Sequence, residues 1–284
     1  MKSNQKTRIL WCLLGTVLAL TTLIPFLWGF VLSFKSNREM FLTPLALPKA
    51  WDFSLYPSTF QTANLPRLML NSLMLTVVTS SSQMLLLFLS SFAIARLDIK
   101  RPKLCNGLYY LFLAATSVPL FARLTGIYQN ALALGKIIPF LGINALFGLV
   151  IPYISGGIPF STLIMVGGLR GVPREMEEAA ILDGCNLRGL IGNVSLPMMA
   201  PLIATLTIFS VLGVWNEFII ASVQLSSPQV YTVTLAMSQF KSQFSKDYGA
   251  ILRCALMLTL PQVLFFIFAH KRITEGQLSA GIKG

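Results

Sequence analysis

The sequence predicts an all-α polytopic membrane protein, a single domain over residues 1–284, with six transmembrane helices and a polar loop between the fourth and fifth. Three observations carry this. Hydrophobic residues make up 55% of the chain and charged ones 11%, where a soluble domain carries about a quarter charged residues; mean hydropathy is +0.71. The charges are also spaced so that long uncharged runs lie between them. Lys and Arg gather in alternate segments between those runs, as topology determinants do.

The first run, residues 9–34, holds 26 positions without a charge, and the second, 68–95, holds 28. About 20 apolar residues cross the hydrocarbon core, so both span it with some tilt. The first is too long and wrongly flanked for a cleaved signal peptide, and reads as a retained anchor. Residues 104–122 give the third span. The uncharged stretch 137–169 exceeds one span; a loop through Asn144 followed by a helix over 145–168 accounts for it. A fifth span covers 197–222. The sixth, 249–269, carries Arg253 one turn inside its outer end, close enough to an interface to snorkel.

Six spans put both termini on one side. With the N-terminus inside, segments 1–8, 96–103, 169–196 and 270–284 are cytoplasmic and carry 13 Lys and Arg; segments 35–67, 123–136 and 223–248 are external and carry 8. The positive-inside rule favours this orientation, and the cluster from Arg96 to Lys103 is its clearest part. The net charge of +12 is spread over short loops. It therefore marks topology and gives no nucleic-acid-binding face.

The cytoplasmic loop 169–196 is written as a helix–turn–helix. Pro173 suits a first helical turn, and Glu175, Glu177 and Glu178 sit near the positive end of the dipole. Asp183-Gly184 stops that helix, and Asn186 can cap a second one. Pro197 and Pro201 mark the return to the membrane and invite a bend. Ala179 and Ala180 present little bulk, so another surface can approach. Local spacing fits a docking surface and an amphipathic loop resting on headgroups equally well.

Fixed spacings go further. Glu178-Ala179-Ala180, three residues, Gly184, nine residues, Val194, one residue and Leu196-Pro197 resemble the EAA loop of binding-protein-dependent ABC importer permeases, with Val194 where that family has isoleucine. Asn71-Ser72, Trp215-Asn216-Glu217-Phe218 and the ending Gly276, Ala280-Gly281-Ile282-Lys283-Gly284 are similar to the carbohydrate branch, and to the smaller permease subunit of maltose-type transporters. The resemblance implies a coupling helix seated in a groove of a cytoplasmic ATPase subunit. Its contacts would be Glu178, Ala179, Ala180, Asp183, Gly184 and Leu187, with Gly281, Lys283 and Gly284 of the tail reaching the ATPase dimer. It implies a bacterial inner-membrane protein that imports a carbohydrate. The implied partners are a second permease, two ATPase subunits holding ATP and Mg, and an extracytoplasmic solute-binding protein.

Asn216 and Glu217 are adjacent polar groups inside a span. They, with Asn71, either line a translocation path or brace helices, and bracing is favoured. Tyr109, Tyr110 and Gln83 are further candidates for sugar contact, although tyrosines also collect at membrane interfaces. No catalytic group, metal set or cofactor site is legible: the chain has one histidine, its four cysteines are scattered, and no phosphate-binding Gly-x-x-x-x-Gly-Lys motif occurs. A secondary transporter or channel uncoupled to ATP is the rival reading. It would ordinarily need more buried ionisable groups or an inverted repeat.

The orientation is testable. In a cysteine-free background, Arg174→Cys is expected to react with an impermeant maleimide only from the cytoplasmic face, and Ser227→Cys only from outside. The reverse pattern inverts the topology.

Overall fold

The computed structural model describes residues 5–96, 101–241 and 246–281, with side chains over 9–96, 101–241 and 246–268. Among these, every named element is helical. Five stretches are long and apolar enough to cross a membrane, and a sixth pair passes that test only as two helices bent by 104°. The contacts gather into two compact units: Met1–Pro66 with Ala236–Pro261, and Arg67–Leu235 with Gln262–Gly284.

The first unit contains α1 (Gln5–Leu32), α2 (Asn37–Leu42) and α3 (Leu55–Thr62). The apolar window of α1 buries nothing within this chain, so its solvent is lipid or another subunit. Its C-terminal end is better held. Phe34 is buried among the rings of Phe30, Trp51, Phe53 and Tyr56, with centroids 5.0–5.5 Å away. Lys35, only 2% exposed, donates to the carbonyls of Thr43 and Pro44 at 2.7 and 3.4 Å. Ser36 and Glu39 form a reciprocal capping box on α2.

The second unit begins on α4 (Leu65–Arg96) and adds α5 (Pro102–Thr116), α6 (Leu120–Gly135) and α7 (Val150–Arg170). It continues through α8 (Arg174–Leu182), the single turn α9 (Leu187–Gly189), a π-helical segment Leu190–Ser195, α10 (Leu196–Asn216) and α11 (Ile219–Gln224). Two apolar clusters organise it. One joins Leu87, Ile94 and Ala95 of α4 to Cys105 of α5, Met165 and Leu169 of α7 and Met199 of α10. The other joins Leu75 to Leu149, Tyr153, Val214, Ile220 and Leu235. α7 and α10 touch where a side-chain carbon at Gly168 would come within 2.8 Å of the Met199 methyl; small residues allow this close approach between membrane helices. A buried polar stripe on α4 is satisfied in part across the interface, where Ser210 Oγ donates to Gln83 Oε1 at 2.9 Å and accepts from the Ser80 hydroxyl at 3.0 Å.

Two expectations change. The third span is not one helix over 104–122. α5 ends at Thr116, Pro119 caps α6, and the chain turns by 104° between them. The residue before a proline avoids the helical region, and proline has no N–H to continue the ladder. α5 alone is 15 residues, about 22 Å, shorter than the hydrocarbon core. The 123–136 segment expected as an external loop is mostly α6.

Arg253 does not snorkel. It lies early in α12 (Tyr248–Gly281), is 6% exposed, and donates to Thr59 Oγ1 at 2.8 Å and the Ser33 carbonyl at 2.7 Å. Asp247 stands 3.9 Å away. α3 and the end of α1 supply the acceptors that water otherwise would.

Arg253→Ala leaves those buried acceptors without their donor. The expected loss is about 2 kcal/mol, read as a lower thermal midpoint of the purified protein in detergent. Arg253→Lys should recover part of it.

Candidate functional site

The helix–turn–helix forms at the place the spacing indicates. α7 closes when the Gly171 amide bonds to the carbonyls of Gly167 and Gly168. Pro173 stands just before α8 as an extended cap residue, with φ −58° and ψ 128°, one position outside the helix in which it was expected. Glu175 and Glu177 occupy the first turn, where carboxylates meet the unpaired N–H end of the dipole. At the other end the Asp183 amide donates to Ala179 O and the Cys185 amide to Ala180 O, both at 2.9 Å. Gly184 takes φ +85°, the left-handed conformation that glycine adopts at no steric cost. The Asn186 side chain then accepts from the Gly189 amide at 2.9 Å and caps α9. From Leu187 the chain runs helically through the π-segment into α10.

α8 presents two different faces. Glu178, Ala179, Asp183, Gly184 and Leu187 are exposed, and Ala180 is half-buried. Around them Met176, Ile181 and Leu182 also point outward, Leu182 with 88% of its surface free. The one buried side chain of α8 is a carboxylate, that of Glu177. It accepts from Arg96 Nε at 2.9 Å, stands 2.7 Å from Arg96 Nη2, and accepts from Ser195 Oγ at 3.4 Å. From the sequence, Glu177 is placed only at the positive end of the helix dipole, and Glu178 is given the contact role. The signal was Arg96, a cation closing an uncharged run of 28 residues.

A second constellation surrounds the break between α10 and α11. Glu217 leaves the helix in an extended conformation. Its carboxylate accepts from the Ile220 amide at 2.7 Å, the Ala221 amide at 3.0 Å and the Tyr153 hydroxyl at 2.7 Å. Thr234 Oγ1 donates to its carbonyl at 2.7 Å. Asn216 donates to Leu212 O at 2.9 Å and Gln262 Oε1 at 3.2 Å. Asn71 donates to the carbonyls of Gln229 and Tyr231, both at 3.0 Å, and the neighbouring Ser72 hydroxyl accepts from the Val233 amide at 2.9 Å. All three path-or-brace candidates therefore hold backbone or neighbouring side chains.

Beside Glu217 lies a cavity of about 370 Å³ between α4, α6, α7 and α10, whose walls include Gln83, Arg123, Tyr153, Phe160, Phe209 and Glu217. Of the residues proposed for the sugar path, Gln83 and Glu217 reach it. Tyr109 packs edge-on to Tyr110 and beneath the Arg170 guanidinium, 5.5 Å from its ring. Arg123 and Tyr153 were missed, because they fall in segments read as loop and as plain span. Of the tail candidates, Gly281 ends α12, and Lys283 and Gly284 lie outside the described residues.

Known proteins are similar to this chain in sequence and fold. The family described as binding-protein-dependent transport system inner membrane component matches residues 4–271. NgcG of Streptomyces coelicolor, a diacetylchitobiose uptake system permease protein, is 28% identical over 91% of this chain and 83% of its own length. SugB of Mycobacterium tuberculosis, a trehalose transport system permease protein, is 27% identical over 96% and 97%. In a crystal structure of a bacterial ABC transporter involved in import of the acidic polysaccharide alginate, one chain superposes with a TM-score of 0.74 at 17% identity, covering 95% of this chain and 99% of that one.

Glu217→Ala removes three charge-assisted bonds at the start of α11. The expected cost is about 3 kcal/mol, measured as a lower thermal midpoint. Tyr153→Phe should cost less, since both amide donors remain.

Proposed function

We propose that this chain, which belongs to the family of binding-protein-dependent transport system inner membrane components, is the permease subunit of an ATP-driven importer that carries a carbohydrate across the bacterial inner membrane. The observation that carries the reading is α8: a short helix with its only buried side chain turned inward and a cluster of exposed apolar and small residues turned outward. An exposed cluster of Met176, Ile181, Leu182 and Leu187 beside Ala179 and Gly184 is what a partner groove covers. Relatives named for diacetylchitobiose and trehalose transport support the carbohydrate.

The partners follow from what the chain lacks. It carries no phosphate-binding loop, so ATP and Mg belong to two ATPase subunits; a second permease completes the pore, and an extracytoplasmic binding protein delivers the sugar. Both termini and α8 face the cytoplasm. ATP binding closes the ATPase dimer and moves the coupling helices of two permeases together, which switches the pore from inward to outward opening. Glu178, Ala179, Ala180, Asp183, Gly184 and Leu187 sit at the docked surface, and the tail around Gly281, Lys283 and Gly284 reaches the ATPase dimer. Sugar passes the cavity at Phe160 and Phe209, whose ring faces suit a pyranose, with Gln83 and Arg123 supplying polar contact.

In the reconstituted complex Leu182→Asp places a carboxylate in that groove. Docking should weaken by about 2 kcal/mol or more, and sugar transport with binding-protein-stimulated ATP hydrolysis should fall together. Unchanged stimulation in this variant overturns the docking of α8.

A further inference from the structure

We infer that the Arg96–Glu177 pair is a strut that makes α4 move with α8, so that α4 carries the stroke to the segment Gln229–Val233 at its other end. The inference rests on the importer reading and adds a route inside the chain.

Core packing cannot hold α8 by itself. Its apolar side chains Met176, Ile181 and Leu182 are exposed, and Glu177 is its single buried residue. A push on α8 must reach the bundle through its backbone packing on Leu190–Ser195 and through that carboxylate. One oxygen, Glu177 Oε1, joins three elements: Arg96 at the end of α4 through Nε and Nη2 at 2.9 and 2.7 Å, and Ser195 at the start of α10 at 3.4 Å. The paired side chains are 11% and 9% exposed. Opening such a pair strands a buried charge, so it stays closed under load. The Nε–H···Oε1 hydrogen bond also fixes direction, which a point charge would not.

The next link is α4 itself, 32 residues with no internal break. Ile94 and Ala95, beside Arg96, are embedded among Leu169, Val172 and Met199, so the end that receives the force is seated. Near its other end Asn71 holds the carbonyls of Gln229 and Tyr231, and Ser72 holds the Val233 amide. Charge pair, rigid helix and amide clamp form a contiguous path, each link of which is a directional contact. Arg96 and Glu177 are positioning residues on this path.

The test uses the full complex in liposomes with its binding protein and sugar. For Glu177→Gln and Arg96→Met the readout is the ratio of binding-protein-stimulated to basal ATP hydrolysis. A purely structural defect would leave that ratio unchanged in complexes that assemble. The ratio is expected to fall about tenfold, with basal hydrolysis retained, and the exchange Arg96→Glu with Glu177→Arg should restore it. Asn71→Ala, at the far end, should lower it as well. Assembled single variants with a wild-type ratio overturn the strut. If neither single variant assembles, the exchange decides: an assembled exchange complex that is uncoupled overturns it, and a coupled one supports it. A wild-type complex that moves no sugar on ATP fails the importer reading itself, a distinguishable result.

Discussion

Hydrocarbon offers no hydrogen bonds, so every polar group that enters it must find its partner within protein. That constraint sets the layout of this chain more than hydrophobic attraction does, because lipid tails are as apolar as leucine. Three polar constellations in the helices are accordingly placed where elements meet. Arg253 collects Thr59 and the end of α1. Ser210 reaches across to Ser80 and Gln83. Glu217 satisfies the first amides of α11 while holding Tyr153. In each case a group expensive to bury fixes a register that apolar packing would leave free.

The same rule explains how the breaks in the spans are tolerated. Ending α10 at Asn216 frees the amides that start α11, and the half-buried Glu217 carboxylate accepts from two of them. The interruption and the acid therefore answer each other: the break frees amides, and Glu217 accepts from them. Asn71 plays the converse part, donating to the carbonyls of an irregular segment that has no ladder of its own.

How much of this was legible depends on whether the signal was local. Uncharged runs matched five long apolar helices within a few residues, because solvent imposes that pattern directly. The turn after α8 was legible too, since Asp183-Gly184 and Asn186 act on backbone atoms within a few positions of themselves. The bend at Pro119 was partly written in Ser117-Val118-Pro119, yet the uncharged run across it hid the second helix, whose Arg123 looked like the start of a loop. Adjacent glutamates show the limit. Glu177 and Glu178 lie about 100° apart around a helix, so one faces inward and the other out. Choosing between them required knowing that Arg96, 81 residues away, lies opposite. Arg253 failed for the same reason: its acceptors come from the end of α1 and from α3, and no window around it contains them.

On the importer reading, the division between braced and unbraced groups also bears on selectivity. A carboxylate that lined the cavity with free lone pairs would bind sugar hydroxyls strongly. Glu217 already accepts three donors, so it shapes the wall without gripping what passes. The wall a solute meets includes two phenyl rings, serine hydroxyls, an amide and a guanidinium, a set that permits contact with many sugars and tight binding of few. A conduit needs that weakness, because a substrate held firmly at the midpoint would not leave. Discrimination must then come before the membrane, from the protein that presents the sugar, while this chain spends its strongest polar interactions on staying rigid enough to be driven.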